Sequence, residues 1–298
     1  MASGARIDSL PPGDDTFGSV LHPRAAQPLP PDDAPLAMAL AAGAAAVLAG
    51  LRAQVDAGAL NGVSLRDAGD AAAQAYLAAM LARARPDDAI LSEEGPDSRG
   101  RLLAERVWIL DPLDGSREFA ERREDGCWRD DFSVHVALWR RGRGLTDAAV
   151  ALPGRGVVYA TDVAPRAVDA AAAVLAGQRP LRLAVSRSRP PAMPDGLGRD
   201  DVELVPMGSS GVKALAVADG TVDAYVHAGG QYEWDTAAPV AVATAAGLSA
   251  TRLDGSPLRY NKTDPLSPDL LICPPGLVAF VRALLAPIAA GAPEDGPT

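Results

Sequence analysis

Val107-Trp108-Ile109-Leu110-Asp111-Pro112-Leu113-Asp114-Gly115-Ser116 decides how the chain is to be read. Two β-branched residues, an aromatic and a leucine make a short strand that runs straight into two carboxylates three positions apart. Pro112 fixes one φ angle, and Gly115 lets the backbone pass close to a ligand. A D-x-x-D turn just past a strand can fold two carboxylates around shared cations, and hard divalent cations prefer oxygen ligands. Ser116 then begins a segment whose amide N–H groups are suited to a phosphate. The same residues are also sound turn chemistry without any ligand, because Asp, Pro and Gly are all turn formers.

Two further acidic groups fall where elements meet. Glu93-Glu94 follows the apolar strand Ala89-Ile90-Leu91-Ser92, and Asp235 opens a helix that Gly247 closes. Taken singly, the glutamates read as a solvated pair and Asp235 as a helix N-cap. Taken with Asp111 and Asp114, they read as a set of metal ligands.

Outward from this centre, helices are predicted over 35–57 and 67–85, the second ended by Pro86-Asp87-Asp88. Strands are expected over 132–140, 148–152 and 157–161, the last two as a hairpin, with a short helix over 166–177. The second half gives strands at 181–185, 222–227, 250–253 and 269–273. Its helices open at Gly208-Ser209-Ser210-Gly211 and Asp235, with a last one over 275–289. Strands in runs, with helices not strictly alternating, argue for layered α+β over a doubly wound parallel sheet. Residues 1–33 are rich in Pro, Gly, Asp and Ser and read as a disordered or loosely packed extension, and 291–298 as a flexible tail. Between them we expect an N-terminal α+β subdomain, 34–178, with the acidic loop, and a C-terminal α/β subdomain, 179–290, contributing Asp235.

The 298 residues carry a net charge of -10 and no basic run, which argues against nucleic acid. Apolar residues make up 48% and aromatics only 4%, so packing relies on alanine and aliphatic side chains. No run of about 20 uninterrupted apolar residues predicts a membrane span. No secretory signal is visible, and two isolated cysteines, Cys127 and Cys273, read as thiols of a reducing compartment, so a cytoplasmic location is expected.

Ser92-Glu93-Glu94, Asp111 to Ser116 and Trp234-Asp235-Thr236-Ala237-Ala238-Pro239 closely resemble, in order and separation, the signatures of the inositol monophosphatase superfamily. Arg117-Glu118-Phe119, Ser186-Arg187-Ser188 and Gly208 to Lys213 resemble its 3'(2'),5'-bisphosphate nucleotidase branch, and Asp147 to Pro153 and His227 to Gln231 resemble the actinobacterial members in particular. The resemblance implies a layered αβαβα sugar-phosphatase fold and removal of the 3'-phosphate of 3'-phosphoadenosine 5'-phosphate with two or three Mg2+ ions. It implies metal ligation by Glu93, Asp111, the Leu113 carbonyl, Asp114 and Asp235, and water activation by Asp70 and Ser116. Gly115, Ser116, Arg189, Ser210, Lys213, His227 and Asp235 become expected substrate contacts, and a homodimer is compatible. Three positions depart from the pattern: Ser116 where relatives commonly have Thr, Arg189 where the S-R-S motif ends in His, and His227 in place of an arginine. The competing expectations are an inositol-1-phosphatase, a fructose-1,6-bisphosphatase, or a non-catalytic metal- and nucleotide-binding sensor.

Overall fold

The computed structural model describes residues 5–6, 29–164, 166–168, 171–190 and 201–289. Two sheets lie between three layers of helix. The N-terminal sheet contains β1 (Ala5–Arg6), β2 (Ala89–Ser92), β3 (Arg106–Asp114), β4 (Ser133–Arg140), β5 (Gly144–Leu152) and β6 (Val157–Ala160), in the order β1-β6-β5-β4-β3-β2. All its pairings are antiparallel except β2 with β3. One face takes α1 (Asp33–Asp56) and α2 (Leu65–Ala84). The other takes α5 (Ser210–Ala218) and α6 (Glu233–Ala245).

The C-terminal sheet contains β7 (Leu181–Ser186), β8 (Val202–Met207), β9 (Ala224–Tyr232), β10 (Ser249–Thr251) and β11 (Leu266–Cys273), in the order β10-β11-β9-β7-β8. It packs Ala184, Tyr225, Leu270 and Ile272 onto α5 and α6. Its far side packs Leu183, Val226 and Leu271 against α4 (Ala171–Leu175) and α7 (Val278–Ala289). The result is the expected αβαβα layering, with α5 and α6 shared between the sheets.

This arrangement explains the unbroken apolar run before Asp111. Trp108 and Leu110 point to the α1/α2 layer, while Val107 and Ile109 point to the α5/α6 layer, so both faces of β3 are covered. The alanines of α1 have a similar cause: Ala37, Ala41, Ala44 and Ala45 are buried where the helix lies close on the sheet. By length and composition α1 could cross a membrane. In the fold its apolar residues, among them Leu36, Leu40 and Leu48, fill the core.

Some elements differ from expectation. The strand expected at 222–227 starts at Ala224 and continues to Tyr232. Strand β8 is an addition, and so is the short helix α3 (Ser116–Ala120). The helix expected over 166–177 is described only as Ala171–Leu175. The expected loose extension over 1–33 falls largely outside the described residues, although Ala5–Arg6 pair with Val157 and Val158. The expected tail 291–298 lies wholly outside them.

Candidate active site

The site begins with a disturbance in β3. Asp111 pairs with His135 of β4 and Asp114 pairs with Ser133, so β3 carries one residue more than β4 between those pairs. Such a bulge bends the strand and re-aims its side chains. Gly115, at φ 88°, then turns the chain into α3, which starts at Ser116. Asp111 is wholly buried. Its Oδ1 accepts the Leu113 N–H at 3.1 Å, while its Oδ2 has no hydrogen-bond partner among the described residues.

The structure brings Glu93, Asp111, Asp114 and Asp235 near enough for their charges to act on one another. Burial, then the charges of Asp114, Glu93 and Asp235, push the Asp111 carboxyl well above its ordinary value. Desolvation and the charge of Asp114 push Asp235 up to about 7. Glu93 keeps some exposure to solvent, and desolvation and the charges of Asp114 and Glu94 push it up to about 7 as well. Four carboxylates held close with one oxygen orphaned need a cation or protons. Their all-oxygen donor set suits a hard divalent ion.

Asp114 behaves differently because the N-terminus of α5 grips it. Its Oδ2 accepts from Ser209 Oγ at 2.6 Å, Ser210 N at 2.5 Å, Ser210 Oγ at 2.8 Å and Gly211 N at 3.3 Å. Burial opposes its charge, but His135, Lys213 and the two serine hydroxyls hold the carboxyl below its ordinary value. The grip requires a close approach. A Cβ on Gly211 would lie 2.5 Å from both His135 Nε2 and Ser133 Oγ. The one Ser210 hydroxyl proton is shared between Asp114 Oδ2 and the Asp235 carbonyl, which joins α5 to α6.

His135 offers a nitrogen close to the Asp111 and Asp114 carboxylates, and the three could be counted as a metal cluster. Its ring is already committed: Nδ1 lies 3.2 Å from the Trp234 carbonyl and Nε2 lies 2.7 Å from Ser133 Oγ. Burial keeps its pKa low. Held between Ser133 and the Trp234 carbonyl, the ring braces the acidic loop.

Asp70 reaches this region from α2. Gly69 packs against Leu113 and Phe119, so α2 lies directly on the loop and α3. Burial and the charge of Glu94 raise Asp70 to about 6. Arg52 of α1 secures α3 from the other side, donating Nε to Phe119 O at 2.9 Å and Nη2 to Glu118 O at 3.1 Å. Its guanidinium lies over the Phe132, Trp128 and Phe119 rings at 4.3, 4.9 and 5.1 Å.

The expected substrate contacts are placed unequally. Ser210 is committed to Asp114 and Asp235. Lys213 is buried and donates Nζ to the Ser209 and Gly208 carbonyls at 2.5 and 3.2 Å; burial lowers it to about 8. Its cation thus steadies the turn that grips Asp114. His227 is buried with Nε2 3.2 Å from the Gly230 carbonyl, and burial lowers it to about 4. Arg189 is exposed. Among the described residues its guanidinium has no hydrogen-bond or ion-pair partner, and its charge acts on Asp235, His227 and Tyr225.

Sequence reading passed over Ser133, Arg52 and Asp131, and noted Ser209 only within the Gly208 to Lys213 motif. It noted Arg187 and Glu118 in separate motifs, but not that Arg187 pairs with Glu118 at 3.1 Å and with Asp131. Asp131 in turn accepts the Gly208 N–H at 2.8 Å.

Residues 33–279 match the inositol monophosphatase family. A 3'-phosphoadenosine 5'-phosphate phosphatase of Mycobacterium bovis is 51% identical over 238 residues, covering 78% of this chain and 83% of that protein. A protein of the same name from Mycobacterium leprae is 47% identical over 269 residues, covering 87% of this chain and 92% of its own. The fold is similar to the crystal structure of CysQ from Bacteroides thetaiotaomicron. The TM-score is 0.63 at 24% identity, over 80% of this chain and 95% of that one.

Proposed function

The chain belongs to the inositol monophosphatase family, and from that premise we propose that it is a magnesium-dependent phosphomonoesterase that converts 3'-phosphoadenosine 5'-phosphate to AMP and phosphate. The observation that carries this reading is the convergence of Glu93, Asp111, Asp114 and Asp235, three of them raised in pKa and one oxygen of Asp111 left without a partner. The names of the relatives at about half identity supply the substrate class.

Glu93, Asp111, the Leu113 carbonyl, Asp114 and Asp235 would hold two or three Mg2+ ions. When bound, the ions supply positive charge for the phosphate and lower the pKa of water. The remaining work falls to the chain itself. Asp70 is the proton acceptor: a carboxyl raised to about 6 is ionised at neutral pH and is a better base than an ordinary aspartate. Ser116, at the first position of α3, contributes the hydroxyl that orients the attacking water and relays its proton. The water oxygen forms the new P–O bond as the bond to the 3'-oxygen breaks; the water's proton passes to Asp70, and the departing 3'-oxygen takes a proton from solvent.

Arg189, exposed and with no hydrogen-bond or ion-pair partner for its guanidinium among the described residues, is an available cation for the second phosphate of a bisphosphate. We place the enzyme in a reducing cytoplasm, in keeping with Cys127 and Cys273 as free thiols. The test is Asp114→Asn with phosphate release measured against Mg2+ concentration. Turnover should fall well beyond the roughly 10–100-fold typical of outer-shell changes. Full Mg2+-dependent turnover by this variant overturns the proposal.

A further inference from the structure

Glu93 and Asp235 come from different parts of the fold, the end of β2 and the first turn of α6, and something must fix their separation. The connection from β2 to β3 leaves the sheet at Glu93 and makes a 3-10 turn over Arg99–Leu103. Leu103 in this turn is 84% exposed, yet Arg101 is 1% exposed.

Arg101 is buried because it reaches across to the far subdomain. Its Nε and Nη2 donate to Asp97 at 2.7 and 3.1 Å. Its Nη1 donates to Asn261 Oδ1 and to the Lys262 carbonyl, both at 2.8 Å. Asn261 returns a bond from Nδ2 to the Arg101 carbonyl at 3.2 Å.

Asn261 has φ 60°, a left-handed conformation that turns successive amides the same way. Its own N–H and that of Lys262 donate to the two carboxylate oxygens of Glu233, at 2.6 and 2.9 Å. Glu233 is fully buried and begins α6, and its N–H donates to the Pro265 carbonyl at 2.8 Å. Asp235 follows two residues later. Burying Arg101 and Glu233 is costly unless both are fully hydrogen-bonded. A core needing only volume would take apolar side chains there.

We propose that Arg101, Asn261 and Glu233 form a clamp across the subdomain boundary that sets the spacing of Glu93 and Asp235, making them positioning residues for cation binding; this rests on the metal-dependent reading above. The clamp touches no reacting atom. It acts by holding two carboxylates where a shared cation meets both, as outer-shell partners do for metal ligands in general.

The test uses the full chain without substrate and titrates Mn2+ calorimetrically. Asn261→Gly keeps the left-handed backbone and removes both side-chain bonds to Arg101. Arg101→Lys keeps the charge but cannot span Asp97, Asn261 and Lys262 together. It also serves if Asn261→Gly fails to fold. Each should weaken Mn2+ binding by about 10-fold. Each should also raise the Mg2+ needed for half-maximal turnover while leaving kcat at saturating Mg2+ within about two-fold. The control is Arg252→Gln, which breaks the buried Arg252–Asp269 pair, 2.6 Å apart, outside the clamp. It should lower the Tm without moving the Mn2+ affinity. Wild-type Mn2+ binding by both clamp variants, or loss of affinity in the control in proportion to its Tm, overturns the clamp alone. Absence of Mn2+ binding by the unmodified chain overturns the metal-dependent reading itself.

Discussion

Gly69→Ala should uncouple activity from stability. Ala is the better helix former by about 1 kcal/mol, so on propensity alone the change should stabilise α2. The added Cβ, however, would lie 2.5 Å from Phe119 Cε1 and 2.9 Å from Leu113 Cδ2. Carbon atoms pack best at about 3.5–4.0 Å, so the contact must open by about 1 Å. Phe119 cannot yield, because it is fully buried between Phe132, at 5.3 Å, and Arg52. Overpacking of this kind costs about 1–3 kcal/mol. Set against the propensity gain, the net loss is about 0–2 kcal/mol, a small change in Tm. The displaced element is α2, and Asp70 is the next residue on it. A shift of about 1 Å in a catalytic group can cost about 100-fold in rate. The expected result is a 10- to 100-fold fall in kcat with a folded protein and little change in Mg2+ requirement. Gly69→Ala/Phe119→Leu, which removes the obstructing ring, should recover part of the loss. Wild-type kcat in the single variant would refute the claim that this contact sets the position of Asp70.

The raised carboxyls also predict how the metal-free protein responds to pH. Glu93 and Asp235 titrate near 7 when folded and near 4 when unfolded, so between those values the folded state holds more protons and loses stability as pH rises. In a chelator the Tm should therefore fall from pH 5 to pH 7.5, and the rise produced by Mg2+ should be larger at pH 7.5; the opposite order contradicts the assigned ligands. Arg189→Ala should raise KM for 3'-phosphoadenosine 5'-phosphate by about 10-fold or more, as loss of a charge-assisted contact implies, with kcat and activity on a monophosphate nearly unchanged. Equal losses on both substrates would remove Arg189 from the second phosphate.

The proposed ligand set could be drawn from the sequence because each member carries a local mark. Asp111 to Ser116 ends an apolar strand, Glu93 follows another, and Asp235 sits at the start of α6. What the residues alone could not show was which groups neutralise which. Asp114 is gripped by Ser209 and Ser210, nearly a hundred positions away in the chain, and no local pattern announces such a pairing. Lys213 looked like an anion-binding side chain at a helix start, but the turn it follows directs carbonyls at its ammonium. Strand β8 escaped notice because Val202 to Met207 carries Glu203 and Pro206 among its apolar residues. Its position at the edge of the sheet, paired among the described residues with β7 alone, tolerates both. Nothing in the local sequence around Arg101 or Glu233 shows that Asn261 links them.

The central claim is that this acidic site hydrolyses a bisphosphate nucleotide with Mg2+. Phosphate release from 3'-phosphoadenosine 5'-phosphate, inositol 1-phosphate and fructose 1,6-bisphosphate, measured on one purified sample with Mg2+ and with a chelator, tests it most directly. The account predicts Mg2+-dependent release with the highest kcat/KM on 3'-phosphoadenosine 5'-phosphate and 5'-AMP as the product. A clear preference for either sugar phosphate, or nucleotide binding without phosphate release in saturating Mg2+, would contradict it.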